Sequence, residues 1–137
     1  MKHVLIDSDV ILDMLLDRQP FSTFSTEVFI LCEKNKMKGY ITPVIIANIH
    51  YILRKTYNKN DIRYGINRLL EILDVVQVPK EAILEALHSD FAGFEDALQN
   101  FAAVKHGKIN TIITRNSKDY PKSTLAVFTP EMFLKQN

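Results

Sequence analysis

The sequence predicts an α/β fold, a three-layer α/β/α sandwich with a central parallel sheet of four or five strands. Three observations carry this expectation. Short apolar runs alternate with segments of helical spacing along the whole chain, the pattern of units that pair strands in parallel through crossover helices. Runs such as His3-Val4-Leu5-Ile6 and Thr111-Ile112-Ile113-Thr114 are nearly continuous in their apolarity, as befits strands covered on both faces. No repeat, low-complexity stretch or linker interrupts the 137 residues, so a single domain spanning 1–137 is expected, long enough for a real core.

Residues 3–7 form the first expected strand, and Val10 to Leu16 follow with helical spacing until Arg18-Gln19-Pro20. Ser22 or Ser25 can cap a second helix reaching about Asn35, with Val28, Leu31 and Cys32 on its inner face. Gly39-Tyr40-Ile41-Thr42 reads as the second strand, and Pro43 opens a helix over Val44 to Lys55. That helix is apolar on almost every side, which predicts burial on more than one face. Asp61 is the expected cap of an amphipathic helix carrying Ile66, Leu69, Leu70 and Ile72, and Val75 to Val78 is the third strand. Helices over Lys80 to His88 and Phe94 to His106 follow, the latter stopped by Gly107. Thr111 to Thr114 and Leu125 to Phe128 complete the strands, and Pro130 to Lys135 closes the chain as a helix.

Composition narrows the function classes. The net charge is +1, from 17 basic and 16 acidic residues, so the chain is not a polycation that grips nucleic acid by bulk charge; a local basic rim stays open. The single cysteine, Cys32, excludes an internal disulfide and a thiolate metal cluster, and its apolar neighbours point to packing. No apolar run reaches the roughly 20 residues of a membrane span, and acids break the N-terminal apolar segment too early for a secretory signal. A soluble, cytoplasmic protein of a reducing compartment is expected, without a membrane partner.

The most informative residues are the acids at element ends. Asp7 and Asp9 follow the first strand, Glu95 and Asp96 open the helix that begins near Phe94, and Asp119 lies in the loop after the fourth strand. Open α/β sheets bind ligands beyond the carboxyl ends of their strands. Carboxylates gathered there repel unless a cation neutralises them, and hard oxygen donors suit Mg2+ or Mn2+. Each acid also has an ordinary reading: Asp7 as a capping or loop acid, Asp9 as a helix cap, Asp96 as a complement to the helix dipole, Glu95 and Asp119 as solvated surface. Their joint placement favours the cation site.

Three segments carry a resemblance: Leu5-Ile6-Asp7-Ser8-Asp9-Val10-Ile11-Leu12, Phe94-Glu95-Asp96-Ala97-Leu98-Gln99, and Ile113-Thr114-Arg115-Asn116-Ser117-Lys118-Asp119-Tyr120. In order and spacing they resemble the signature segments of PIN-domain proteins, over essentially the whole chain. The resemblance implies a PIN-like sandwich and a metal-dependent endoribonuclease that cleaves RNA phosphodiesters by metal-activated water, with a role as the toxin of a VapC-like toxin–antitoxin pair. It implies metal-binding and catalytic roles for Asp7 and Asp96, with Ser8 and Thr114 in support. Asn116 and Asp119 compete for the last ligand slot. Arg115 and Lys118 flank the site as phosphate contacts or as ordinary loop charges. RNA, a cognate antitoxin and a second copy of the chain are the implied partners.

One position departs from the pattern. Many PIN nucleases carry Glu within a stretch resembling Thr42-Pro43-Val44-Ile45-Ile46-Ala47-Asn48-Ile49, and here that place is Asn48. An amide oxygen can ligate a hard cation but brings no negative charge. Asp9 is a candidate to compensate; otherwise Asn48 marks a weakened site and a PIN-fold module that binds RNA or protein, or a buried amide tied to backbone. A more distant reading takes Asp7-Ser8-Asp9-Val10 as the nucleophile motif of haloacid-dehalogenase-like phosphatases. The four histidines show no metal-ligand spacing, and neither a Gly-rich phosphate loop nor a GxSxG elbow occurs.

Overall fold

The computed structural model describes residues 1–136. Its elements run β1 His3–Ile6, α1 Ser8–Leu15, α2 Phe21–Glu33, β2 Lys38–Ile41, α3 Pro43–Leu53, α4 Lys59–Ile72, β3 Asp74–Val75, α5 Lys80–Leu87, α6 Phe94–His106, β4 Thr111–Ile113, a 3₁₀ turn Ser117–Asp119, β5 Ala126–Phe128 and α7 Pro130–Lys135. The strands form one sheet in the order β3-β2-β1-β4-β5, every neighbouring pair parallel. Helices α1 to α4 pack against one another with α7 on α2, and α5 packs on α6, as the usual hand of parallel crossovers requires when the chain moves outward from β1 and then returns. The three-layer α/β/α arrangement with five strands follows. Among the described residues no helix is long and apolar enough to cross a membrane.

The sheet order positions the site. From β1 the chain steps outward to β2 and β3, then jumps back to β4 on the other side of β1. A crevice therefore opens beyond the carboxyl ends of β1 and β4, where successive connections leave in opposite directions. Val4, Leu5 and Ile6 of β1 and Ile112 and Ile113 of β4 are fully buried, so the two strands that support the crevice are the rigid centre of the core.

Several boundaries differ from expectation for local reasons. Asp7, not Asp9, is the cap of α1: its side chain accepts from the Ser8 amide at 2.7 Å, which draws Ser8 and Asp9 into the first turn. Asn58, not Asp61, caps α4, because its Oδ1 accepts from the Asp61 amide at 2.9 Å. The second helix begins at Phe21 behind Pro20, and the Ser22 hydroxyl donates back to Asp17 instead of capping. The third strand shrinks to Asp74–Val75 at the sheet edge, where β2 alone pairs with it. Helix α3 buries Ile45, Ile49 and Leu53, yet Tyr51 is 53% exposed. Its other side, with Pro43, Ile46, Ala47 and His50, lines an open depression, so the all-round apolarity is not matched by all-round burial. Arg54 and Lys55 stand over the Tyr51 ring.

A charged side chain inside α1 ties this layer to the loop after β4. Asp13 is 1% exposed. Arg115 Nε and Nη2 reach its two oxygens at 3.1 and 2.8 Å, and Arg18 approaches at 3.6 Å. The Arg115 guanidinium also stacks over the Phe21 ring at 4.4 Å. Without its bidentate partner this buried carboxylate keeps only the more distant Arg18. Arg115→Ala should therefore cost about 2–3 kcal/mol in urea unfolding, and Arg115→Lys should fail to restore it because an ammonium lacks the planar fork. A cost near zero would show a surface charge with no structural role.

Candidate active site

Asp7 is the centre of the crevice. It is 6% exposed, and donors from separate elements surround its carboxylate. Oδ1 accepts from the Ser8 amide at 2.7 Å and from Gln99 Nε2 at 3.1 Å, with the Ser8 hydroxyl at 3.5 Å. Oδ2 accepts from the Thr114 hydroxyl at 3.0 Å and the Tyr120 hydroxyl at 3.1 Å. The N-terminus of α1 adds a dipole that favours negative charge there. Buried polar groups need such partners, and these four donor residues together hold the carboxylate in one orientation.

Each donor is itself fixed. Gln99, buried in α6, accepts from the Thr42 hydroxyl at 3.4 Å through Oε1, and its Nε2 also faces the Tyr120 hydroxyl at 3.4 Å. Thr42 follows β2 and caps α3 by accepting from the Ile45 amide. The buried Thr114 hydroxyl accepts from the Asn116 amide at 3.2 Å while donating to Asp7. Tyr120 is 3% exposed; burial, Asp7 and Asp96 all raise its pKa, so the phenol stays protonated and donates. The loop beyond it is tied to α6 by the Ser123 hydroxyl on Asn100 Oδ1 at 2.5 Å.

The remaining acids approach this centre. Asp96 is half-buried in the first turn of α6, one helical turn before Gln99, so the two share a face. Burial first, then the charges of Asp7 and Asp119, push its carboxyl up to about 6, with a hydrogen bond to Tyr120 partly opposing the rise. Asp9 is also raised, by burial and then Asp7, with Arg115 opposing and Asp13 and Asp119 adding smaller repulsions. Asp119 is exposed but close enough to act on both. Asp7, Asp9, Asp96 and Asp119 therefore share one electrostatic neighbourhood.

Other predicted residues lie differently. Asn116 is exposed and meets the site through its backbone, its carbonyl accepting from the Asp119 amide. Arg115 turns its guanidinium to Asp13, and Lys118 is exposed. Asn48 is tied to a side chain, not to backbone: its Nδ2 donates to Glu95 Oε2 at 3.0 Å. Cys32 is buried and its thiol is pushed up to about 12, in keeping with packing. Gln99, Tyr120 and Asp13 were not singled out from the sequence. A polar residue one turn after Asp96, and so on its face of the helix, was the available signal for Gln99, and an acid amid Leu12 and Met14 was the signal for Asp13.

A hard divalent cation fits this donor set. The charges acting on Asp96 from Asp7, Asp119 and Glu95 are all negative, and a cation would relieve their repulsion. Among the described residues no three histidine, cysteine or acidic side chains form a ready-made cage. The close donors on Asp7 account for its acceptor sites, so an ion there would replace one of them.

These features are joined by comparison with known proteins. Residues 3–118 match the PIN domain. The chain belongs to the PIN-domain family. It is 28% identical over 140 residues to Ribonuclease VapC1 of Aquifex aeolicus (strain VF5), across 98% of this chain and 95% of that protein. The fold is similar to the structure of VapBC2 from Rickettsia felis bound to a DNA fragment from their promoter, with a TM-score of 0.69 at 13% identity over 91% of this chain and 96% of that one. It is likewise similar to a toxin–antitoxin complex from Klebsiella pneumoniae, with a TM-score of 0.67 at 18% identity over 93% and 97% of the two chains. The PIN assignment displaces the phosphatase alternative, and a buried Asp7 enclosed by donors is a poor nucleophile.

The raised carboxyl of Asp96 has a consequence for stability. The unfolded chain releases this proton near the ordinary value of 3.8, the folded one near about 6. Between these values the fold holds the extra proton, so the group's contribution to stability is present below the lower value and lost as pH rises through the upper one. In metal-free buffer Asp96→Asn should melt higher than the parent chain at neutral pH, and the gain should shrink as pH falls through about 6 toward about 4. Melting curves across pH test this; a gain that does not vary with pH contradicts it.

Proposed function

We propose that this chain is a divalent-metal-dependent endoribonuclease and the toxin of a toxin–antitoxin pair. The observation that carries the reading is the oriented, buried Asp7 carboxylate with the pKa-raised Asp96 beside it, at the sheet's switch point. The PIN-domain match and the similarity to a VapC ribonuclease support it. Asp7 and Asp96 are the residues that would hold Mg2+ or Mn2+. Asp119 is favoured over Asn116 as the third, because its charge acts on both Asp9 and Asp96. A bound ion of this kind would activate water and neutralise charge on a phosphoryl group.

The chain's own residues set the conditions for that chemistry. Gln99, Thr114 and Tyr120 hold Asp7 as an oriented anion and Ser8 supports it through the cap. Asp96 is the carboxyl whose protonation changes near about 6, so activity should fall as it takes up a proton in mildly acidic buffer. Asp9 adds negative charge in the first turn of α1. Lys118 is an exposed cation of the loop available to a phosphate backbone, Arg115 being engaged by Asp13. A cognate antitoxin and a second copy of the chain are the proposed protein partners, in a cytoplasmic setting. The solved toxin–antitoxin neighbours and the open apolar side of α3 around Tyr51 support partners of this kind.

Cleavage of a mixed RNA pool with Mn2+ tests the proposal. The purified chain should cleave, chelator should abolish cleavage, and Asp7→Asn and Asp96→Asn should each lower the rate by about 100-fold or more, since an interaction with the developing charge is worth several kcal/mol. A chain that binds RNA but cleaves none of it would favour the PIN-fold binding module instead.

A further inference from the structure

Helices α3 and α6 meet in one polar contact that the donors around Asp7 do not use. Asn48, half-buried on α3, donates from Nδ2 to Oε2 of Glu95, the exposed residue immediately before Asp96 in the first turn of α6. Exposed glutamates in a first turn are ordinarily mobile, and holding one costs side-chain entropy of about 1–2 kcal/mol. A hydrogen bond to a carboxylate is stronger than one between neutral groups and can offset that cost. An acid at position 48 would repel Glu95, whereas an amide can donate to it. The helix that lacks a carboxylate here thus captures one from its neighbour.

We propose that Glu95 is a further acid of the cation site, and that Asn48 is the positioning residue that holds its carboxylate on the α3–α6 side of the mouth. Asn48 then marks a relocation of the negative charge and not its loss. Glu95 strengthens cation binding through its charge, beside Asp96, which already feels that charge. This rests on the metal-dependent nuclease reading, and the test separates the two.

The measurement is calorimetric titration of Mn2+ alone into the chelator-stripped full chain, with RNA cleavage followed in parallel. Glu95→Gln keeps an oxygen for Asn48 but removes the charge, and should weaken Mn2+ binding about tenfold, the scale of groups that support a metal's ligands. Asn48→Ala should weaken it less, about threefold, because Glu95 stays but is no longer held. The exchange Asn48→Asp with Glu95→Gln returns the carboxylate to α3 and should recover most of the affinity, which a purely structural clasp would not require. If Glu95→Gln and the exchange both bind Mn2+ like the parent while Asp96→Asn loses binding, the inference is overturned and the nuclease reading stands. If the parent chain takes up no Mn2+, or Asp96→Asn leaves uptake intact, both fall.

Discussion

A buried carboxylate held on every side by hydrogen-bond donors is the constraint on which this structure turns. Asp7 lies at the end of the central strand, and its charge is kept in the fold by donors from the start of α1, the middle of α6, the end of β4 and the loop beyond it. Those donors bind to one another as well: Gln99 reaches Thr42 and Tyr120, and Thr114 accepts from Asn116. The strand ends β1, β2 and β4 are thereby coupled to α6 through side chains, not only through the sheet. The arrangement fixes one carboxylate and leaves Asp9 and Asp96 each repelled by Asp7 and Asp119. A site built in this way stores a demand for positive charge.

Two far-apart pairs frame that centre. Asp13 and Arg115 are 102 positions apart, and their fork-like contact anchors the loop that carries Asn116, Asp119 and Tyr120 to α1. Asn48 and Glu95 are 47 apart and join α3 to the first turn of α6. The first pair removes an arginine from the rim; the second brings an acid to it. Both change the electrostatics of the crevice by choosing a partner for a charge, with no change in the net charge of the chain.

Much of the fold was legible in the sequence because its signals are local. The apolar runs of β1 and β4, Pro43 at the start of α3 and Gly107 at the end of α6 each act within a few residues. The limits of α6 and α7 coincide with those read from spacing. The cap of α1 was open between Asp7 and Asp9, and that of α4 was placed at Asp61 instead of Asn58, because neighbouring side chains can each cap a helix and only the backbone angle decides. Within the site, the acids at element ends were legible as a set. Gln99 and Tyr120 were not, since their meaning lies in which carboxylate they face. Arg115 and Asn48 were singled out, but their pairing with Asp13 and Glu95 was not legible, because it is set by the packing of whole helices.

Crystals of the chain soaked in Mn2+ and measured at a wavelength where manganese scatters anomalously would test the central claim most directly. The account predicts an anomalous peak at coordination distance, about 2.1 Å, from carboxylate oxygens of both Asp7 and Asp96, with one of the present donors to Asp7 displaced. A peak confined to other surface acids, with the hydrogen bonds of Asp7 all intact, would contradict it.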